Sequence, residues 1–177
     1  MNVDLFLALN AGTDPNPVVL ALALFFSKYA PYLVMGYCVV GLIFGAPRLR
    51  KTLLFTVTAA LVAAVISWVI GKYLYMPRPF VESVGSTLLA HKDNASFPSN
   101  HAMFMTIFAT VFLLARQIKV GLFFGFLALC IGWSRVFLGV HYPVDIAGGI
   151  LLGVVVSVCV WRGIRFFITF CIARAGH

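Results

Sequence analysis

The sequence predicts an all-α, polytopic integral membrane protein, a helical bundle with six, or alternatively five, transmembrane helices. The chain has 177 residues, of which 62% are hydrophobic and only 10% are charged, and its mean hydropathy is +1.03. Soluble domains have about 45–50% apolar and about 25% charged residues. A chain with so little polar surface cannot cover itself in water, which excludes a soluble globular protein and a disordered one.

Five apolar segments predict the helices. Residues 17–44 are long for one span and short for two, and Lys28 and Pro31 interrupt them. We therefore expect two short helices broken near residues 27–31, which gives six spans, with five spans plus an interfacial helix as the alternative. The remaining spans are predicted over residues 52–75, 101–115, 120–140 and 144–170. A span needs about 20 residues, so the segment at 101–115 is short unless its ends lie in the interface.

Basic residues predict the orientation of these spans. They precede the span at 52–75 (Arg48, Arg50, Lys51), follow the span at 101–115 (Arg116, Lys119) and lie near the end of the chain (Arg162, Arg165, Arg174). Because Lys and Arg beside spans stay in the cytoplasm, the loops at 76–100 and 134–143 should share the opposite face, the periplasm of a bacterial inner membrane. The net charge is +8, but its scattered distribution argues against nucleic-acid binding.

Two glycine pairs at four-residue spacing, Gly121 with Gly125 and Gly149 with Gly153, predict close packing of helices within the bundle. No internal repeat or low-complexity tract marks a second domain. We therefore expect residues 1–177 to form a single domain, with residues 52–170 as its catalytic core.

The two outer loops hold nearly all the polar residues that topology does not explain. Arg78 and Arg135 carry planar guanidinium groups that match phosphate oxygens in a bidentate manner. Two such groups beside an apolar bundle indicate a phosphate on a lipid. Ser99, Asn100 and His101 stand where a helix should begin, so free backbone N–H groups add to anion binding there.

His141 and Asp145 are four residues apart and share one helix face if Pro143 begins the last helix. A carboxylate bound to one imidazole nitrogen leaves the other as an in-line nucleophile or base. His101 comes from a different helix and can supply the proton that a leaving group needs. A phosphoryl transfer in two steps, in which one histidine attacks and the other protonates the leaving group, requires no metal or other cofactor. The sequence also contains no acid cluster suited to magnesium.

These stretches resemble the three motifs of the type 2 phosphatidic acid phosphatase superfamily: Lys-x6-Arg-Pro, Pro-Ser-Gly-His and Ser-Arg-x5-His-x3-Asp. Residues 134–145 match the third motif in full. The second is matched with Asn100 in place of Gly. The first is matched at Arg78, but Lys72 stands one residue closer to it than the pattern requires. Whether Lys72 binds phosphate therefore stays open.

The resemblance, which covers residues 52–170, implies that His141 attacks phosphorus to form a phosphohistidine. It also implies that Asp145 orients His141 and that His101 protonates the leaving oxygen. The implied phosphate ligands are Arg78, Ser99 and Arg135, and Asn100 and Lys72 are further substrate-binding candidates.

Within the superfamily, the chain is most similar to the bacterial undecaprenyl pyrophosphate phosphatases. This implies an isoprenoid diphosphate substrate in the lipid bilayer and a role in recycling the cell-wall lipid carrier, with no cofactor and no obligate protein partner. Phosphatidylglycerophosphate, phosphatidic acid and lipid A phosphates remain alternative substrates, and transfer to another lipid remains an alternative to hydrolysis. A transporter is disfavoured, because the charges lie at span ends and the chain has no related halves.

Overall fold

The fold is entirely helical in a computed structural model, which describes residues 2–175. The helices are α1 (Asn2–Leu9), α2 (Pro17–Leu24), α3 (Ala30–Phe44), α4 (Pro47–Tyr73), α5 (Asn100–Leu114), α6 (Ile118–Phe137) and α7 (Pro143–Ala175). Within the described residues, four segments are long and apolar enough to cross a membrane: Pro17–Phe44, Pro47–Tyr73, Ile118–Phe137 and Pro143–Cys171. The chain is therefore an all-α helical membrane protein, as predicted.

Residues 17–44 form one continuous helical segment, which corrects the prediction of two short helices in this region. A π-helical turn, Phe25–Tyr29, joins α2 to α3 at the position of the expected break. Pro31 has no N–H for the carbonyl four residues earlier, and the wider turn accommodates that loss without ending the helix. The whole segment, 28 residues long, counts as one candidate span.

Prolines mark where α4 and α7 begin. α4 begins at Pro47 rather than at residue 52, so the basic cluster of Arg48, Arg50 and Lys51 lies in the first turns of this helix. α7 begins at Pro143, as predicted. α5 has only 15 residues, which rise about 22 Å against the roughly 30 Å of a hydrocarbon core. It packs against α4, α6 and α7, which shield it from the surroundings.

The loops separate to the two ends of the bundle. At one end, Arg48 Nη2 donates to the carbonyl oxygens of Ala115 and Arg116 at 3.3 and 3.4 Å. At the other end, the segment between α4 and α5 meets the α6–α7 connection, where the backbone N–H of Leu88 donates to the Leu138 carbonyl at 3.1 Å. The two polar loops therefore lie together, as the charge pattern predicts.

α1 holds these two loops in place. Phe6 is fully buried, and its ring packs edge-on against Tyr142 with centroids 5.2 Å apart. Asn10 Nδ2 donates to the carbonyl oxygens of Ser86 and Phe137, at 2.9 and 3.2 Å, and its Oδ1 accepts from the Ser86 N–H at 2.8 Å. The beginning of the chain thus supports a region that the three motifs alone do not describe.

Glycines on α7 allow that helix to approach α5 closely. A Cβ at Gly149 would lie 2.5 Å from the Ser99 carbonyl oxygen, and one at Gly153 would lie 2.8 Å from the Met103 carbonyl oxygen. The predicted packing role of this pair is confirmed. The contact also brings the first turn of α7, with Asp145, against the beginning of α5, where the Ser99 N–H donates to the Asp145 carbonyl at 3.0 Å.

Candidate active site

His141 lies in the connection between α6 and α7, and only 2% of its surface is exposed. Its Nδ1 is 3.3 Å from Asp145 Oδ2 and 3.3 Å from Ser96 Oγ. Because a carboxylate oxygen accepts, Nδ1 carries the proton in this pair and Nε2 keeps the lone pair. The structure therefore brings together the histidine and the acid that the sequence pairs.

Further hydrogen bonds fix the carboxylate of Asp145. Its Oδ2 accepts from the backbone N–H of Tyr142 at 2.8 Å and also from the hydroxyl of Ser96. Ser96 is fully buried and joins both members of the histidine–aspartate pair. No motif marks Ser96, since it reaches the site only through the folded loop between α4 and α5.

The surroundings of His141 keep its imidazole neutral. Burial lowers the pKa of His141 to about 4, although the hydrogen bond that His141 donates to Asp145 acts in the opposite direction. The positive charges of Arg78 and Arg135 lower that pKa further. A neutral imidazole with a free lone pair is the form that can attack phosphorus.

Arg78 is buried, and the protein itself holds every nitrogen of its guanidinium group. Nε and Nη2 donate to Asn94 Oδ1 at 3.1 and 2.9 Å, and Nη2 also donates to the Ala95 carbonyl at 3.1 Å. Nη1 donates to the Val140 carbonyl at 2.8 Å and lies 3.1 Å from His141 Nε2. Given the proton on His141 Nδ1, Nη1 donates to the Nε2 lone pair. Burial lowers the pKa of Arg78, while the charge of Asp145 raises it.

Arg135, on α6, is held differently. Its side chain is 2% exposed, and Nη1 donates to Ser27 Oγ in the π-helical turn at 2.8 Å. Nε and Nη2 of Arg135 and the hydroxyl of Ser99 are buried without a hydrogen-bond partner among the residues that the structure describes. Buried donors in this state are costly unless a ligand completes them. Buried polar groups left without partners in this way suit an anion with several oxygens.

The other predicted residues lie around this centre. His101 is half-buried and lines a cavity of about 680 Å³ together with Arg135. Asn100, beside it on α5, accepts from Ser67 Oγ at 2.7 Å. Lys72 is exposed, with Nζ 5.1 Å from the centroid of the Trp68 ring, and it lines a different cavity of about 330 Å³. The structure thus does not bring Lys72 into the cavity that His101 and Arg135 share.

The larger cavity has both polar and apolar lining residues. The polar ones include Lys28, His91, Asn100, His101 and Arg135. The apolar side chains come from α3, α4 and α5 and include Val34, Met35, Cys38, Ala60, Leu61 and Phe108. Its volume is within the range of about 300–1,000 Å³ that is usual for ligand sites. Such a cavity suits a molecule with an anionic head and an apolar chain.

The chain is similar to several known membrane phosphatases. The chain is 36% identical over 155 residues to YbjG of Escherichia coli (strain K12), provisionally named an undecaprenyl-diphosphatase, which covers 88% of this chain and 78% of the relative. It is 30% identical over 165 residues to the undecaprenyl-diphosphatase BcrC of Bacillus subtilis (strain 168), covering 92% and 83%. The crystal structure of Aquifex aeolicus LpxE superposes with a TM-score of 0.77 at 22% identity, covering 91% of this chain and 94% of that one.

A family model described as the PAP2 superfamily matches residues 51–168, which is more than half of the chain. The matched range contains the histidine–aspartate pair, His101 and both buried arginines. The chain therefore belongs to the PAP2 superfamily of lipid phosphatases, the family that its three motifs resemble.

Proposed function

We propose that this protein is an undecaprenyl-diphosphatase of the bacterial cytoplasmic membrane. It hydrolyses undecaprenyl pyrophosphate to undecaprenyl phosphate and phosphate at the periplasmic face, and so recycles the lipid carrier of cell-wall synthesis. The observation that carries the proposal is the pair of uncompleted buried donors on Arg135, which lines an apolar cavity, together with the buried hydroxyl of Ser99 that also has no hydrogen-bond partner among the described residues. The names of YbjG and BcrC support a diphosphate lipid as the substrate.

In the first step of the proposed reaction, His141 Nε2 attacks the terminal phosphorus. A nitrogen–phosphorus bond forms, and the bond from that phosphorus to the bridging oxygen breaks. The bridging oxygen keeps the electron pair and leaves as part of the lipid monophosphate. Asp145 accepts from Nδ1–H and stabilises the positive charge that develops on the imidazole.

The arginines and Ser99 hold the phosphoryl oxygens in this step. Arg135 supplies Nε and Nη2, and Ser99 supplies its hydroxyl. Arg78 Nη1 transfers its hydrogen bond from His141 Nε2 to a phosphoryl oxygen, which frees the attacking lone pair. Lys72 and Asn100 take no part in holding the phosphoryl oxygens in this proposal.

In the second step, water attacks the phosphohistidine. An oxygen–phosphorus bond forms, the nitrogen–phosphorus bond breaks, and its electron pair returns to Nε2 of His141. His101 gives a proton to the leaving oxygen in the first step and takes one from water in the second, as microscopic reversibility allows. The enzyme returns to its starting state with no metal in the cycle.

The test is phosphate release from undecaprenyl pyrophosphate by the detergent-purified protein in EDTA, beside His141→Ala, with phosphatidic acid and phosphatidylglycerophosphate as competitors. We expect release that persists in EDTA, prefers the isoprenoid and disappears in the variant. The variant's unfolding temperature in detergent controls for loss of fold. No release from the isoprenoid, or release that His141→Ala leaves intact, would overturn the proposal.

A further inference from the structure

His91 lies outside all three motifs, yet the fold brings it to the reaction centre. It belongs to the loop between α4 and α5, and its side chain is half-buried. The centroid of its ring is 6.4 Å from that of His141, with the rings edge to face at 71°. It lines the larger cavity together with His101 and Arg135. The roles described above leave this third imidazole without a function.

One hydrogen bond determines which ring nitrogen of His91 is free to bind a ligand. Nδ1 lies 3.0 Å from the backbone carbonyl oxygen of Lys92, which can only accept, so Nδ1 carries a proton. Nε2, on the other side of the ring, makes no hydrogen bond to the part of the chain that the structure describes. The backbone contact therefore fixes the ring and leaves Nε2 for a ligand in the cavity.

The charges near His91 suit an anion. Burial lowers the pKa of His91, and the positive charges of Arg78 and Arg135 lower it further, against the backbone contact to Lys92. An incoming phosphate offsets these positive charges and thereby favours a proton on Nε2. His91 then presents an N–H donor to that phosphate.

The position of His91 in the cavity indicates which phosphate it meets. The transferred phosphoryl group lies against His141, Ser99 and Arg135 in the proposed reaction. If the lipid chain lies along the apolar lining, the second phosphate of a diphosphate lies between that chain and His141, and His91 both lines this cavity and has its ring centroid 6.4 Å from that of His141. A lipid monophosphate has no group at that position.

We propose that His91 is a specificity-determining residue that binds the non-transferred phosphate of a diphosphate lipid through Nε2. This rests on the proposed diphosphatase function and goes beyond it, because it assigns a residue that distinguishes one phosphate from two.

The experiment compares farnesyl diphosphate with farnesyl monophosphate, which share one prenyl chain and differ by one phosphate. Phosphate release is measured with the full-length chain in detergent for wild type, His91→Ala, His91→Gln and Lys92→Ala. His91→Ala should lower kcat/KM for the diphosphate by about tenfold to a hundredfold, mainly through KM, as expected for a lost hydrogen bond to a charged group. It should change kcat/KM for the monophosphate by less than about threefold. His91→Gln, which restores an N–H donor, should recover part of the loss.

Lys92→Ala is the matched control, because Lys92 is the neighbouring exposed cation and supplies only its backbone to His91. It should leave both substrates within about twofold of wild type. Equal losses on the two substrates in His91→Ala, or no loss on the diphosphate, would overturn the role of His91 alone. A wild-type enzyme that cleaves only the monophosphate would overturn the proposed function itself.

Discussion

At the scale of single residues, the two buried arginines differ in what they leave free. The guanidinium of Arg78 is fully engaged by Asn94, Ala95, Val140 and His141. Arg135 is anchored at one nitrogen and keeps two for a ligand. In the proposed reaction, Arg78 therefore holds His141 before the substrate binds, and Arg135 keeps two nitrogens for the phosphate.

Arg78→Ala should lower kcat by about a hundredfold or more, because it leaves Asn94 and His141 Nε2 without their buried cation. Lys72→Ala, which removes an exposed cation above Trp68, should cost less than about threefold. Phosphate release under saturating substrate measures both variants. A larger loss in Lys72→Ala than in Arg78→Ala would show that Lys72 is the phosphate ligand.

The depressed pKa of His141 predicts a pH dependence of stability. Between its usual value of about 6.5 and the folded-state value of about 4, the unfolded chain binds a proton at this residue and the folded chain does not. The contribution of neutral His141 is thus complete above pH 6.5 and is lost as the pH falls toward 4. Thermal unfolding in detergent should show a larger fall in Tm from pH 7 to pH 4.5 for wild type than for His141→Ala. Equal falls in the two proteins would contradict a low pKa.

Some residues of the site could be predicted from their spacing along the chain, and others could not. The four-residue spacing of His141 and Asp145 across the start of α7 predicted their pairing. Ser96, Asn94 and Ser27 contact His141, Arg78 and Arg135 across distant segments, so no local pattern identifies them. His91 is similar, since an isolated loop histidine has no spacing signature.

At the scale of the elements, the packing of α7 on α5 sets the position of the acid. Gly149 lies against the carbonyl of Ser99, the residue that precedes α5. The hydroxyl of Ser99 and the carboxylate of Asp145 are therefore placed relative to each other by a helix contact that allows no side chain.

Gly149→Ala should destabilise the protein by about 1–3 kcal/mol and lower activity, because its Cβ would overlap with backbone that cannot move independently. Gly163→Ala, on the same helix with open space around it, is the matched control and should leave both Tm and activity nearly unchanged. Unfolding temperature and phosphate release are measured for both variants. Equal behaviour of the two would show that the α5–α7 contact is not tight at Gly149.

Hydropathy predicted which segments are helical more reliably than where they begin or break. The start of α7 follows from Pro143, and the shortness of α5 from the polar residues at its ends. The π-helical turn was not predictable, because Lys28 and Pro31 fit a break as well as a widened turn. The turn also contributes to the site through a tertiary contact that the local sequence does not reveal, because its Ser27 contacts Arg135 of α6.

At the scale of the whole molecule, the bundle combines the buried residues of the motifs with an apolar cavity between α3, α4 and α5. The motifs identify those residues, whereas the cavity depends on how three helices pack. Sequence periodicity does not report that packing, so the cavity could not be predicted.

Filling the cavity should discriminate between long and short lipids. Ala60→Phe places a ring against the apolar wall and should raise KM for undecaprenyl pyrophosphate about tenfold, equivalent to about two methylenes losing their contacts. Farnesyl diphosphate, whose chain is shorter, should be less affected. Leu54→Phe, on an exposed face of α4, is the control. An unchanged ratio between the two substrates in Ala60→Phe would place the lipid chain elsewhere.

The uncompleted donors of Ser99 and Arg135 have a consequence for regulation. In the proposed reaction they bind phosphoryl oxygens, which the lipid headgroup and the released phosphate have in common. Inorganic phosphate should therefore act as a competitive inhibitor. Initial rates measured at increasing phosphate concentration would test this, with sulfate as a comparison anion. An apparent KM that phosphate leaves unchanged would contradict it. The rate of carrier recycling would then fall as phosphate accumulates outside the cytoplasmic membrane, a product feedback that requires no second binding site.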